Sequence, residues 1–158
     1  MNTKLMAGAF LTYKDKVLVM HRGLHRELNP GLWAPIGGHI EPEEINKPAQ
    51  ACLREIEEET QIKADKIKNF SLKYITVRNN SGLIYINYVF LGDLVEQCEL
   101  PFCDEGTLHW IDFRSLPDYP MSFSAQQVIL HYQNNPENHN VFVGAVNSAN
   151  TKIFWSEL

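Results

Sequence analysis

A chain of 158 residues with a net charge of −5 at pH 7 and a hydrophobic share of 44% is long enough for a core of its own, and one domain over residues 1–158 is the natural count. The acidic balance argues against nucleic acid or an anionic membrane surface as the main partner, and no apolar run approaches the roughly 20 residues that span a bilayer. Cys52, Cys98 and Cys103 form no CxxC pair, so neither a disulfide framework nor a zinc site is expected; a reducing cytoplasm fits, as does a start at Met1–Lys4 without a secretory leader.

Leu5 to Tyr13 is apolar and reads as a buried strand, with Asp15 and Lys16 turning the chain into a second strand over Val17–Met20. His21, Arg22, His25 and Arg26 then form a cationic stretch that ends at the turn signal Asn29-Pro30-Gly31. It faces either phosphates or solvent. Leu32 to Ile36 is a short strand that delivers the chain into Gly37-Gly38, where backbone can pass close to a ligand. Trp33 is expected to pack beneath this loop.

Seven of the nineteen acidic residues lie between Glu41 and Glu59. Pro48 suits a first helical turn, so a helix is expected over about Pro48–Gln61. On it Glu55, Glu58 and Glu59 fall within an arc of roughly 100°, while Ala49, Cys52, Leu53, Ile56 and Thr60 make the stripe for a core. Three adjacent carboxylates repel, and a hard divalent cation, Mg²⁺ or Mn²⁺, would offset that through oxygen ligands. Arg54, one turn before Glu58, would hold that carboxylate in place. The bland alternative is a solvated acidic face.

Ile67–Val77 and Leu83–Leu91 read as strands joined by a hairpin turn at Asn79–Gly82. Asp93 to Asp104 is a polar loop before a further strand over Leu108–Ile111. Leu116-Pro117 and Tyr119-Pro120 break the chain; Ser122 then caps a helix from Ser124 to about Asn134, facing in with Val128, Ile129 and Tyr132. Val141–Val146 and Lys152–Trp155 form a last pair of strands. The order of elements gives an α+β fold with a mixed curved sheet between helices.

The stretch GGHIEPEEINKPAQACLREIEEETQI resembles the Nudix box, a glycine and a glutamate with five residues between them, then seven residues and REUxEExGU, where U is apolar. Gly38 and Glu44 match the first part; Arg54, Glu55, Ile56, Glu58, Glu59 and Ile62 match the second. Nine residues rather than seven separate Glu44 from Arg54, and Gln61 stands where the family carries a glycine. The resemblance implies an α/β/α sandwich and hydrolysis of a nucleoside diphosphate linked to a group X. It implies metal on Glu55, Glu58, Glu59 and the Gly38 carbonyl, with Glu58 or a further glutamate, Glu105, handling the water. Glu99 and Asp104 are the alternatives to Glu105. Arg54 orients Glu58, while Gly37, Arg22 and Phe123 are the expected substrate contacts.

The flanking LNPGLWAPIGG and the Trp110 strand look most like the branch of that family that destroys 8-oxo-dGTP, producing monophosphate and pyrophosphate. Ala34 replaces the asparagine that reads the base in the human-type enzyme, and Phe123-Ser124 stand where that enzyme has an acidic pair. A pocket without polar readers and a weak preference among bases are therefore expected. Dinucleoside polyphosphates, nucleotide sugars and NADH are the alternative substrates, and a non-catalytic nucleotide sensor is the alternative of another class. The partner is a small nucleotide, and the family resemblance suggests a homodimer.

Overall fold

The computed structural model describes residues 2–158. Its strands are β1 (Asn2–Tyr13), β2 (Lys16–Arg22), β3 (Trp33–Ala34), β4 (Ile36–His39), β5 (Ile67–Asn80), β6 (Leu83–Leu94), β7 (Gly106–Asp112), β8 (Phe142–Val146) and β9 (Ile153–Glu157). The helices are α1 (Pro48–Thr60) and α2 (Phe123–Asn134), with short 3₁₀ turns at Pro42–Glu44, Ala64–Lys66 and Phe113–Asp118. None of the helices is long and apolar enough to cross a membrane.

All nine strands join one mixed sheet, ordered β3-β2-β1-β6-β5-β8-β9, with β4 against β1 and β7 against β2. The β1–β6 and β5–β8 pairings are parallel; the others are antiparallel. β1 lies inside the sheet and is apolar from Leu5 to Leu11, where both of its faces are covered. Ala7, Ala9 and Leu11 point to the cluster under α1, with Leu18, Met20, Ile56 and Phe90. Phe10 points the other way, to Val17, Val19, Leu116, Val128 and Ile129 under α2. The architecture is the α/β/α sandwich.

α1 opens on Pro48, whose missing N–H would be unpaired there in any case. Ile56 is fully buried, and such burial contributes about 2 kcal/mol. The helix ends one residue before the expected limit. Gln61 itself takes the left-handed conformation, φ 62° and ψ 12°, and its N–H donates to the Glu57 carbonyl at 2.8 Å. α2 starts as Ser122 Oγ accepts from the Ala125 N–H.

Several expectations shift. The first hairpin turns at Lys14-Asp15, because Lys16 already pairs with Tyr13. The β5–β6 turn narrows to Ser81-Gly82, both at positive φ, as a two-residue hairpin with this strand twist requires. The expected Leu32–Ile36 strand is two pieces: β3 pairs with β2, β4 pairs with β1, and Pro35, lacking an N–H, stands at the switch. Consequently Gly37 and Gly38 lie inside β4 rather than beyond a strand. The break expected at Leu116-Pro117 is instead a 3₁₀ turn, begun by Asp112 accepting from the Arg114 N–H.

Candidate active site

β4 crosses β1 so closely that a Cβ on Gly37 would stand 2.1 Å from the Ala7 carbonyl oxygen. Only glycine fits. That approach brings β4 under the front of α1: the Glu55 carboxylate lies where a Gly38 side chain would be, and Glu59 Oε2 accepts from the Gly37 N–H at 3.1 Å. The front of α1 therefore faces β4, and the three glutamates differ. Glu58 is exposed, Glu55 half-buried and Glu59 only 6% exposed. The bland alternative of a solvated acidic face does not hold for Glu59, which packs at the sheet. Burial first, then the charges of Glu105 and Glu55, push the Glu59 carboxyl up to about 8, against the Gly37 N–H and Arg22. Burial also raises Glu55, opposed chiefly by Arg54.

Arg54 ties this face together. Its Nε and Nη2 donate to the two oxygens of Glu44 at 2.9 Å each; Nη1 donates to Glu55 at 2.8 Å and Glu58 at 3.1 Å, and Nη2 also reaches the His39 carbonyl. A single guanidinium fork thus serves three carboxylates. The Glu44 bonds, foremost, hold the arginine more firmly protonated than usual, and those same bonds lower the Glu44 carboxyl. The longer Ile45–Pro48 connection does not pull Glu44 away: Pro42–Glu44 form a 3₁₀ turn, and Lys47 N–H donates to the Glu44 carbonyl.

Glu105 precedes β7 and comes to the same place from the far end of the chain. It pairs with Arg26 at 2.7 Å and Arg22 at 3.7 Å, and its backbone carbonyl accepts from Gly23. Burial lowers Arg22, with Glu105 the leading opposing influence. Of the alternatives to Glu105, Glu99 lines a separate hollow with Gln61 and Lys63, and Asp104 offers its carbonyl to His25. His21 stacks on Trp33 at 4.6 Å, which fits Trp33 packing under the loop.

A cleft opens on the α2 side of the sheet. Gly8, Thr76, Asn87 and Val89 help form its floor; Arg22, Asn29, Ala34 and Pro35 flank it, and Ser122, Ser124 and Ala125 come from the start of α2. Gly37 and Gly38 line it too. Phe123 is not among its lining residues; its neighbours Ser122 and Ser124 hold that wall. The expectation of a pocket without polar readers is also corrected, because Thr76, Arg78 and Asn87 lie along it. A sequence signal was present for two of them: Asn87 interrupts the apolar run of β6, and Thr76 stands between Ile75 and Val77 in β5, whereas Arg78 merges with the polar Asn79-Asn80 end of the strand.

The donor set on the front of α1, carboxylate oxygens only, suits a hard divalent cation. Glu59, buried beside two other carboxylates with one hydrogen bond of its own, is where positive charge is most wanted. Among the described residues no three His, Cys, Asp or Glu side chains converge into a ready cage, and Arg54 Nη1 stands between Glu55 and Glu58.

A family model of the NUDIX domain matches residues 3–132, and no curated protein matches. Among solved structures, the mutator MutT protein of Bacillus halodurans is 20% identical, with 98% of this chain and 97% of that one covered and a TM-score of 0.75. A Caenorhabditis elegans Ap4A hydrolase in a binary complex is 17% identical over 83% and 96% of the two chains, TM-score 0.69. The NUDIX domain of Shewanella oneidensis NrtR, complexed with ADP ribose, is 20% identical over 86% and 90%, TM-score 0.68.

Proposed function

The chain belongs to the Nudix family and is a Nudix hydrolase, and from that premise we propose that its substrate is a nucleoside triphosphate, cleaved to the monophosphate and pyrophosphate. One observation carries this reading. Gly37 and Gly38 line the α2-side cleft and also touch Glu59 and Glu55. A nucleoside lying in the cleft thus places its phosphates against the carboxylate face of α1. Arg22, which lines the cleft and is close enough to Glu59 to oppose its raised pKa, meets their negative charge.

Mg²⁺ or Mn²⁺, held by Glu55, Glu58, Glu59 and the Gly38 carbonyl, supplies charge neutralisation and a more acidic water when bound. The residues of the chain do the rest. Arg54 fixes Glu44, Glu55 and Glu58 in place. Glu58, the most exposed of the three helix glutamates, takes the proton as the water oxygen bonds to phosphorus and the P–O bond to pyrophosphate breaks. Glu105, held by Arg26 and Arg22, orients that water.

The test is a hydrolysis screen with Mg²⁺ or Mn²⁺ over dGTP, 8-oxo-dGTP, other nucleoside di- and triphosphates, dinucleoside polyphosphates, nucleotide sugars and NADH, run beside Glu58→Gln. Triphosphates should turn over to pyrophosphate, and Glu58→Gln should lower kcat about 10²-fold or more with an unchanged melting profile. Turnover confined to dinucleotides or nucleotide sugars overturns the substrate. Wild-type turnover by Glu58→Gln overturns the role of that residue.

A further inference from the structure

We propose that Asn87, set by Thr76, reads the hydrogen-bonding edge of a heterocyclic base on the sheet floor; this rests on the reading of the cleft as the nucleoside site. In the register of the sheet, Met6, Asn87 and Thr76 lie side by side across β1, β6 and β5. Along the same face lie Phe10, Tyr74, Val89 and Leu91, packed under α2, while in the other direction Arg78 lies over the Tyr85 ring. At Asn87 the helix has only begun, and Ser124 and Ala125 are too small to fill the space. A polar pair in mid-sheet therefore faces a hollow, not a core.

The pair is connected but not satisfied. Asn87 Nδ2 donates to Thr76 Oγ1 at 3.2 Å, and Thr76 is 1% exposed. That bond uses one of the two amide hydrogens and leaves the other, with both lone pairs of Oδ1, free for a ligand. A carboxamide so held presents a donor and an acceptor side by side, the pattern that pairs with adjacent acceptor and donor atoms on a base edge. The threonine hydroxyl is itself both donor and acceptor, so the amide can turn over and still be held. Such a reader demands an edge with a neighbouring donor and acceptor. It separates such bases from an apolar or half-equipped ring more sharply than it separates one ordinary base from another.

Titration calorimetry with adenosine monophosphate and with unsubstituted purine riboside monophosphate, which lacks the exocyclic donor, tests this without turnover. The wild type should bind the adenosine compound about tenfold more tightly, from the loss of one neutral hydrogen bond and the unpaired amide left behind. Asn87→Leu should weaken adenosine monophosphate by about tenfold or more, bring the two ligands level, and raise KM for a nucleotide substrate with little change in kcat. The Thr76→Val/Asn87→Leu double variant leaves no buried hydroxyl unpaired and serves if the single variant does not fold. Equal affinities in the wild type, binding unchanged in the folded variants, or no detectable binding of either ligand overturns the inference. Nucleotide hydrolysis with KM unchanged in the variant would sink this inference alone, whereas absent hydrolysis with the binding differences intact would sink only the proposed reaction.

Discussion

Gln61→Gly should stabilise the protein. Gln61 is exposed, ends α1 at φ 62°, and keeps its N–H on the Glu57 carbonyl. A side chain with a Cβ in that conformation costs about 1–2 kcal/mol relative to the right-handed one. Glycine removes that cost but adds freedom to the unfolded chain, about 0.4–1 kcal/mol. The difference is a net gain of about 0.5–1 kcal/mol. For a chain of 158 residues that is a rise in Tm of about 2–3 °C. Thermal unfolding followed by circular dichroism reads it. Gln61→Ala is the control, since alanine carries the same Cβ into the same backbone and should leave Tm within about 1 °C of wild type. Equal gains from glycine and alanine, or none from glycine, would refute a cost seated in the backbone.

Arg54→Lys should abolish most activity although the charge is kept, because one ammonium cannot replace the paired bonds to Glu44 while holding Glu55 and Glu58; steady-state kinetics with wild-type kcat would contradict this. A second expectation concerns acid. His131 sits against the rings of Tyr74, Phe142 and Trp155, with the Tyr74 hydroxyl 2.9 Å from Nδ1, and burial holds it below its ordinary 6.5. The unfolded chain then takes up this proton first. Its contribution is intact above 6.5 and is lost as pH falls through that value toward the folded one. Glu59, raised to about 8, works in the opposite sense over the same range, so the readout is the difference between proteins. As pH falls from about 7.5 to 5, the Tm of His131→Gln should rise relative to wild type, and a constant difference would assign the effect elsewhere.

The two helices and the long strands were legible because their periods are local. Ile56 and Cys52 recur at helical spacing, and Val17 to Met20 form an unbroken apolar run. The Arg54–Glu58 contact was legible for the same reason, being one turn of helix. Glu44 as the paired partner of Arg54 was not, since a connection two residues longer than the family spacing does not reveal where its ends meet. The burial of Glu59 was hidden as well. It depends on how near β4 lies to β1, and that distance is set by Gly37 against Ala7. Thr76, Arg78 and Asn87 read as scattered polar residues in apolar strands. Only the mutual register of β5 and β6, with α2 beginning where it does, turns them into one wall.

The site has two halves that differ in how much chain must close to make them. Arg54 meets Glu44 ten positions back and Glu58 four positions on, whereas Arg26 and Glu105 are 79 apart. Lengthening a closed loop from 10 to 79 residues is close to three doublings, about 2 kcal/mol of additional chain entropy. The arginine hub can therefore form with α1 and its preceding turn, early in folding. Glu105 arrives only when β7 docks on β2 and draws Gly23, His25 and Arg26 against it. On refolding from denaturant, helical signal should return ahead of hydrolysis. A chain still held short of Glu105 during synthesis has its helix carboxylates in order but lacks the Arg26–Glu105 pair, and with the proposed role of Glu105 it should not hydrolyse nucleotide until β7 has docked on β2.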